Sequence, residues 1–261
     1  MTSPFRLDKW YFDFVTEDGR VFIGYTAHVR WWMLTLNYYG YLYLDECHRV
    51  HHVNHFSKAP SSKMKAGELG WQVPGIDGVW HQLQPSVRET LLDNQQGIID
   101  WQGVMPMARA EAQFQELESL AGLGYVEHIS MTIPPWRLPI TRLIWGRFIT
   151  GSESIIWIRW FSPSSPKTLV FHNGARYDEA TIEDDVICFG ENSLYLTEPC
   201  CLREGSIGST VLTKAGWIKY LFPKSILSLR ENKWRSHGVF QGSSGQSATG
   251  WTIHESVDWA S

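Results

Sequence analysis

KWYFDFVTEDGRVFIGYTAHV, running from Lys9 to Val29, decides the fold class. Apolar and polar side chains alternate on both sides of Glu17-Asp18-Gly19, and Asp-Gly between two such runs is a strong hairpin signal. A strand throws successive side chains to opposite faces, and Trp, Tyr and Phe suit that pleated, half-buried surface better than a helix. The next run, WWMLTLNYYGYLYLD (Trp31–Asp45), continues in kind, with interruptions at Asn37 and Gly40.

Outward from there, short alternating runs recur. Strands are expected near Ser86–Leu91, Ile98–Val104, Ser154–Ser162, on both sides of Asn173-Gly174, and at Asp185–Phe189, Ser193–Thr197, Leu221–Leu229 and Trp234–Gln241. Ser57–Gly78, rich in Pro, Gly, Ser and Lys, reads as loop or short strands. GSSGQSATG (Gly242–Gly250) reads as a flexible loop before a closing strand, WTIHESVDW. MARAEAQFQELESLAG is helical by propensity, yet Ala108, Ala110, Ala112 and Phe114 alternate strictly with polar residues. The period of two takes precedence, which predicts a strand through Gln115. The Leu117 region and Lys214–Tyr220 remain helix candidates. Many short strands separated by turn signals predict an all-β sandwich or barrel. No sequence repeat is visible, but the two halves carry comparable strand sets. Two antiparallel β-barrel domains, 1–120 and 121–261, fit the length best.

Composition removes several function classes. A formal net charge of −4 and the lack of a Lys/Arg run argue against a nucleic-acid partner. Of the four cysteines, Cys47, Cys188, Cys200 and Cys201, none sits in a C-x-x-C spacing, so neither a metal nor a redox site is expected. The N-terminus has no apolar run after a basic start, and no stretch is long and apolar enough to span a bilayer. A reduced, cytoplasmic protein is the expectation. CHRVHHVNHF (Cys47–Phe56) spaces its histidines as a helix would for a metal, but strand surroundings split them between two faces. The 14 tryptophans supply broad flat surface for a core or an apolar ligand.

GLGYVEHISMTIPPWRLPITRLIWGRF (Gly122–Phe148) is the one segment with candidate chemistry. Glu127 and His128 lie side by side among Tyr125, Trp136 and Trp145, and Pro134, Pro135 and Pro139 forbid a helix. Polar chemistry among aromatics on irregular backbone suits the lining of a site. A connection between domains, with Glu127 paired to Arg137, Arg142 or Arg147, explains the same residues.

Four motifs resemble those of the carotenoid hydratase (hydroxyneurosporene synthase) family, in the same order. WYFDFVTEDGR resembles its W-Y-x-D-A-x-S-D-D-G-R opening, MPMARAEAQF followed by GLGYVEH its strand and G-Y-x-D-H-N segment, IWGRF its W-x-W-x-R-A segment, and GWTIHESVDW its closing G-x-A-x-H-E-S-L. Glu127 stands where the family has Asp, and Ile129 where it has Asn. The resemblance implies two lipocalin-like β-barrels, in a superfamily that includes tocopherol cyclases and Diels–Alder-type cyclases. It also implies a small apolar isoprenoid or polyene-like substrate. With no nucleotide loop, metal spacing or nucleophile elbow in the sequence, cofactor-free chemistry is expected. Transient contact with a membrane surface to collect the substrate is a further expectation.

Hydrating or cyclising an unactivated C=C bond requires a proton donor within reach of carbon, and burial can keep a carboxyl protonated for that task. Glu127 is the candidate acid, with His128 and Arg147 as catalytic partners. Tyr125, Trp136, Trp145, Trp10, His254 and Glu255 are candidate substrate-binding residues, the aromatic faces stabilising a developing cation. Two alternatives stay open: a pericyclase-type cyclase that needs only a shaped pocket and a hydrogen-bond donor, and a carrier of an apolar ligand without chemistry.

Overall fold

The computed structural model describes residues 5–56, 61–115, 118–210, 223–243 and 245–259. The chain is all-β and divides into two units, Met1–Pro134 and Pro135–Ser261.

The first unit holds β1 (Phe5–Val15), β2 (Val21–Trp31), β3 (Leu34–Leu44), β4 (Val50–Phe56), β5 (Ser61–Lys65), β6 (Glu68–Val73), β7 (Ile76–Gln82), β8 (Val87–Asn94), β9 (Gly97–Phe114) and β10 (Leu120–Met131). Their order across the antiparallel sheet is β4-β3-β2-β1-β10-β9-β7-β6-β5, with β8 pairing the first half of β9. Thus the first strand lies against the last. Phe12, Phe14, Phe22, Trp71, Trp80 and Val126 fill the interior.

The second unit holds β11 (Arg142–Ile149), β12 (Ser154–Phe161), β13 (Lys167–His172), β14 (Ala175–Tyr177), β15 (Ala180–Ile182), β16 (Val186–Phe189), β17 (Asn192–Ser206), β18 (Arg230–Gln241) and β19 (Ser247–Asp258), with helical turns α1 (Ile207–Thr210) and α2 (Lys224–Leu227). The order β14-β13-β12-β11-β19-β18-β17-β16-β15 repeats the plan of the first sheet, again with first strand against last. Its core is built on Phe148, Ile155, Trp157, Val170, Phe189 and Phe240.

The hairpin around Asp18-Gly19 forms as its pattern predicts, with Val15 opposite Val21. MARAEAQF is strand, in favour of period over propensity. Four expectations need correction. The division falls between Pro134 and Pro135, not after residue 120, because β10 pairs with both β1 and β9 and so completes the first sheet. The two strands expected around Met105 are one, β9, which absorbs Pro106 in a bulge. In Leu221–Leu229, Lys224–Leu227 is a helical turn after Pro223, and residues 221–222 lie outside those described. The loop expected at Gly242–Gly250 is strand from Ser247 onward, paired with β18. Leu117 and Lys214–Tyr220, the helix candidates, lie outside the described residues. Among the described residues no helix is long and apolar enough to cross a membrane.

Candidate functional site

β1 and β10 build the site in the first unit. Alternation sends Phe12 and Phe14 into the core and Tyr11 and Asp13 to the other face of the sheet. On β10 the register sets Tyr11 opposite Glu127, Phe12 opposite Val126 and Asp13 opposite Tyr125. Four side chains therefore form a square on one face, phenol and carboxyl alternating around it. Tyr11 donates to Asp13 Oδ2 at 2.7 Å along β1, and Tyr125 donates to Glu127 Oε2 at 2.9 Å along β10. The Trp101 indole N–H from β9 also donates to Glu127 Oε2, at 2.7 Å.

All of these groups are buried: Asp13 and Tyr125 are fully inaccessible, and Glu127 is 6% exposed. Two register shifts between β10 and β9 flank Val126 and set the aim of Glu127. The partners of Gly124 and Val126 are Ala108 and Met105, so Pro106 and Met107 lie in the bulge. Proline cannot donate to the ladder, and bulges that re-aim side chains concentrate beside active sites.

The same alternation parts Glu127 from His128. His128 faces the core side, its ring tilted against Trp10 with centroids 4.6 Å apart, and with Nε2 3.7 Å from Asp8. Burial holds its pKa below the usual imidazole value, with Arg6 acting in the same sense and Asp8 against it. The expectation of His128 as a catalytic partner of Glu127 is therefore corrected: neighbours in a strand point to opposite faces. Trp10 packs against the core beside His128.

The remaining predicted residues belong to the second unit. Trp136 is half-buried in a single 3-10 turn, Pro135–Arg137. Arg147 is 1% exposed and donates from Nη1 to the Trp251 carbonyl at 3.1 Å. Trp145 lies opposite Glu255 in the β11–β19 register, and the Lys233 ammonium, paired with Glu255, sits 5.7 Å from its ring. His254 and Glu255 line a cavity of about 310 Å³ with Trp157 and Trp234. His254 stacks on Trp234 at 5.3 Å, and its Nε2 is 2.8 Å from Ser236 Oγ. Burial, with Lys233 adding to it and Asp184 opposing, lowers its pKa to about 4.

The structure thus joins Glu127 to Tyr125 and Trp10 to His128, whereas alternation along β19 sends His254 and Glu255 to opposite faces. The sequence reading did not find Trp101 or the Tyr11–Asp13 pair. The alternation of β1 could have placed Tyr11 and Asp13 together, but no local signal places Trp101.

No protein-family model matches the sequence, and no curated protein matches it. Solved structures do. The chain is similar to CghA, with a TM-score of 0.61 at 11% identity, covering 98% of this chain and 89% of that one. It is similar to kievitone hydratase from Nectria haematococca, with a TM-score of 0.61 at 11% identity over 97% and 89% of the two chains. An AttH-like protein from Nitrosomonas europaea gives 0.61 at 8% identity over 95% and 92%. These are lipocalin-like two-barrel proteins. At such identities the likeness carries the fold, and it is the fold that the four motifs implied.

Proposed function

We propose that this chain is a cofactor-independent enzyme of the hydratase or cyclase kind, acting on an apolar isoprenoid or polyene-like substrate through proton delivery from Glu127. One observation carries the reading: a buried carboxyl whose Oε2 accepts from both Trp101 and Tyr125. An oxygen with two lone pairs and two donors has no room for a proton, so a protonated Glu127 carries it on Oε1. Burial favours that neutral acid before reaction, and the two donors stabilise the anion once the proton has gone.

Transfer of the Oε1 proton to one carbon of a C=C bond forms a C–H bond and leaves a cation on the other carbon. Water then captures the cation and returns a proton to the carboxylate, giving hydration. A second π bond capturing it, followed by proton loss, gives cyclisation. The name of one neighbour in fold, kievitone hydratase, supports this class of reaction. Collection of the substrate from a membrane surface and a cytoplasmic location belong to the same proposal.

A carrier reading for the first barrel is opposed by its interior, which Phe12, Phe14, Phe22, Trp71 and Trp80 occupy. Glu127→Gln keeps the shape and removes the acid. It is expected to lose turnover of an acyclic polyene by about a hundredfold or more while retaining binding of the same polyene. A largely active Gln variant would favour the pericyclase reading. Tight binding with no turnover by either protein would favour the carrier.

A further inference from the structure

The two ends of the second barrel differ. At the β11–β12 turn, Glu153 is 2% exposed and is bonded to His172 at 2.7 Å, to Asn173 at 2.9 Å and to Gln246, so that end is sealed by a satisfied polar plug. The other end, where β11 begins, opens into the cavity of about 310 Å³. That volume lies at the small end of the range small-molecule sites occupy, roughly 300–1,000 Å³.

The lining grades from apolar to acidic. Ile144, Trp157 and Leu196 of the core form the floor, and Trp234 with His254 stacked on it forms a wall. At the lip stand Glu183, Asp184 and Asp258, with Asp184 81% exposed. Arg142 answers the lip carboxylates from one side, 3.1 Å from Asp184 and 3.6 Å from Asp258. Glu255 is neutralised by Lys233. The lip therefore carries three carboxylates against one guanidinium, beside the partly exposed indole of Trp234.

We propose that this cavity binds a small organic cation, a protonated amine on an apolar or aromatic body. The body packs against Trp234, over the floor, and the ammonium meets the lip carboxylates. Indole faces attract cations, and the acidic lip repels anions. The His254 imidazole is neutral at pH 7 and adds no opposing charge.

Calorimetric titration of the full chain at pH 7 with phenethylamine, 2-phenylethanol and phenylacetate tests the class of ligand. These probes share a body and differ in charge. The amine is expected to bind about fivefold tighter than the alcohol, and the acid weakest. Glu183→Lys changes only an exposed lip residue and is expected to weaken the amine about threefold or more while leaving the alcohol unchanged. Leu196→Trp fills the floor and is expected to abolish binding of both. No binding of the amine, equal affinity for amine and alcohol, or amine binding indifferent to Glu183→Lys would overturn the proposal. None of these readouts depends on turnover, so the result is separate from that of Glu127→Gln.

Discussion

His254 packs beside Trp234 and Ser236, and its pKa falls from 6.5 to about 4 on folding. Between those values the unfolded chain binds more protons at this site than the folded one. Stability therefore rises with pH across the window, is fully present above it, and is lost as pH falls towards 4. A shift of that size corresponds to roughly 3 kcal/mol. Urea unfolding at pH 7 and pH 4.5 should show the native chain losing roughly 2 kcal/mol more than His254→Asn over the same interval. Equal losses would remove His254 as the cause. His128 is displaced in the same direction by burial and reinforces the trend. The two histidines share a chemical consequence: neither carries charge near neutrality, so in the proposed reaction the acid is a carboxyl group. Glu127 is a buried carboxyl with an indole and a phenol both donating to a single oxygen.

Strands in this protein make room for aromatic rings by omitting side chains. Gly146, at the middle of β11, lies opposite Trp157 on β12 and His254 on β19. A Cβ there would overlap the Trp157 indole and stand 2.8 Å from the His254 Cβ. Gly24 on β2 gives the Phe12 ring the same space in the first unit. Gly146→Ala is expected to cost about 1–3 kcal/mol in denaturant unfolding, since an overpacked core must shift backbone or rotamers. Gly151→Ala, in the β11–β12 turn with open space around it, is the control and should stay within about 0.5 kcal/mol. An equal cost at both positions would show that lost ring space is not the reason. At this scale the sequence was readable where the information is local. Alternation through Lys9–Val29 and Met107–Phe114 specifies strands, and alternation alone already separates Glu127 from His128. Cross-strand register was not readable. Trp101 reaches Glu127 only because two bulges, one at Pro106, offset β9 against β10. Nothing local encodes an offset between strands that far apart in the chain.

The repeated plan of the two sheets governs where the chain can be divided. Each sheet lays its first strand beside its last, β1 against β10 and β11 against β19, so neither is complete until its final strand is in place. The sequence suggested a division at residue 120 because the two halves carry comparable strand sets and two barrels fit the length. The partner that makes β10 the end of the first sheet is β1, at the opposite end of the unit. A fragment ending at residue 120 lacks β10, leaving one edge each of β1 and β9 unpaired and the Val126 position in the core empty. Exposed edges of that length invite association between chains. A fragment ending at Pro134 keeps every pairing of the first sheet and all the residues of its core. Residues 1–134 are therefore expected to give a β-type circular dichroism spectrum and a single cooperative urea transition, and residues 1–120 to give neither and to aggregate. Side-by-side expression of the two fragments decides the matter. Cooperative folding of the shorter fragment would mean that β10 is dispensable to the first sheet, and the closure of β1 on β10 would then have to be treated as an addition to the fold instead of the step that completes it.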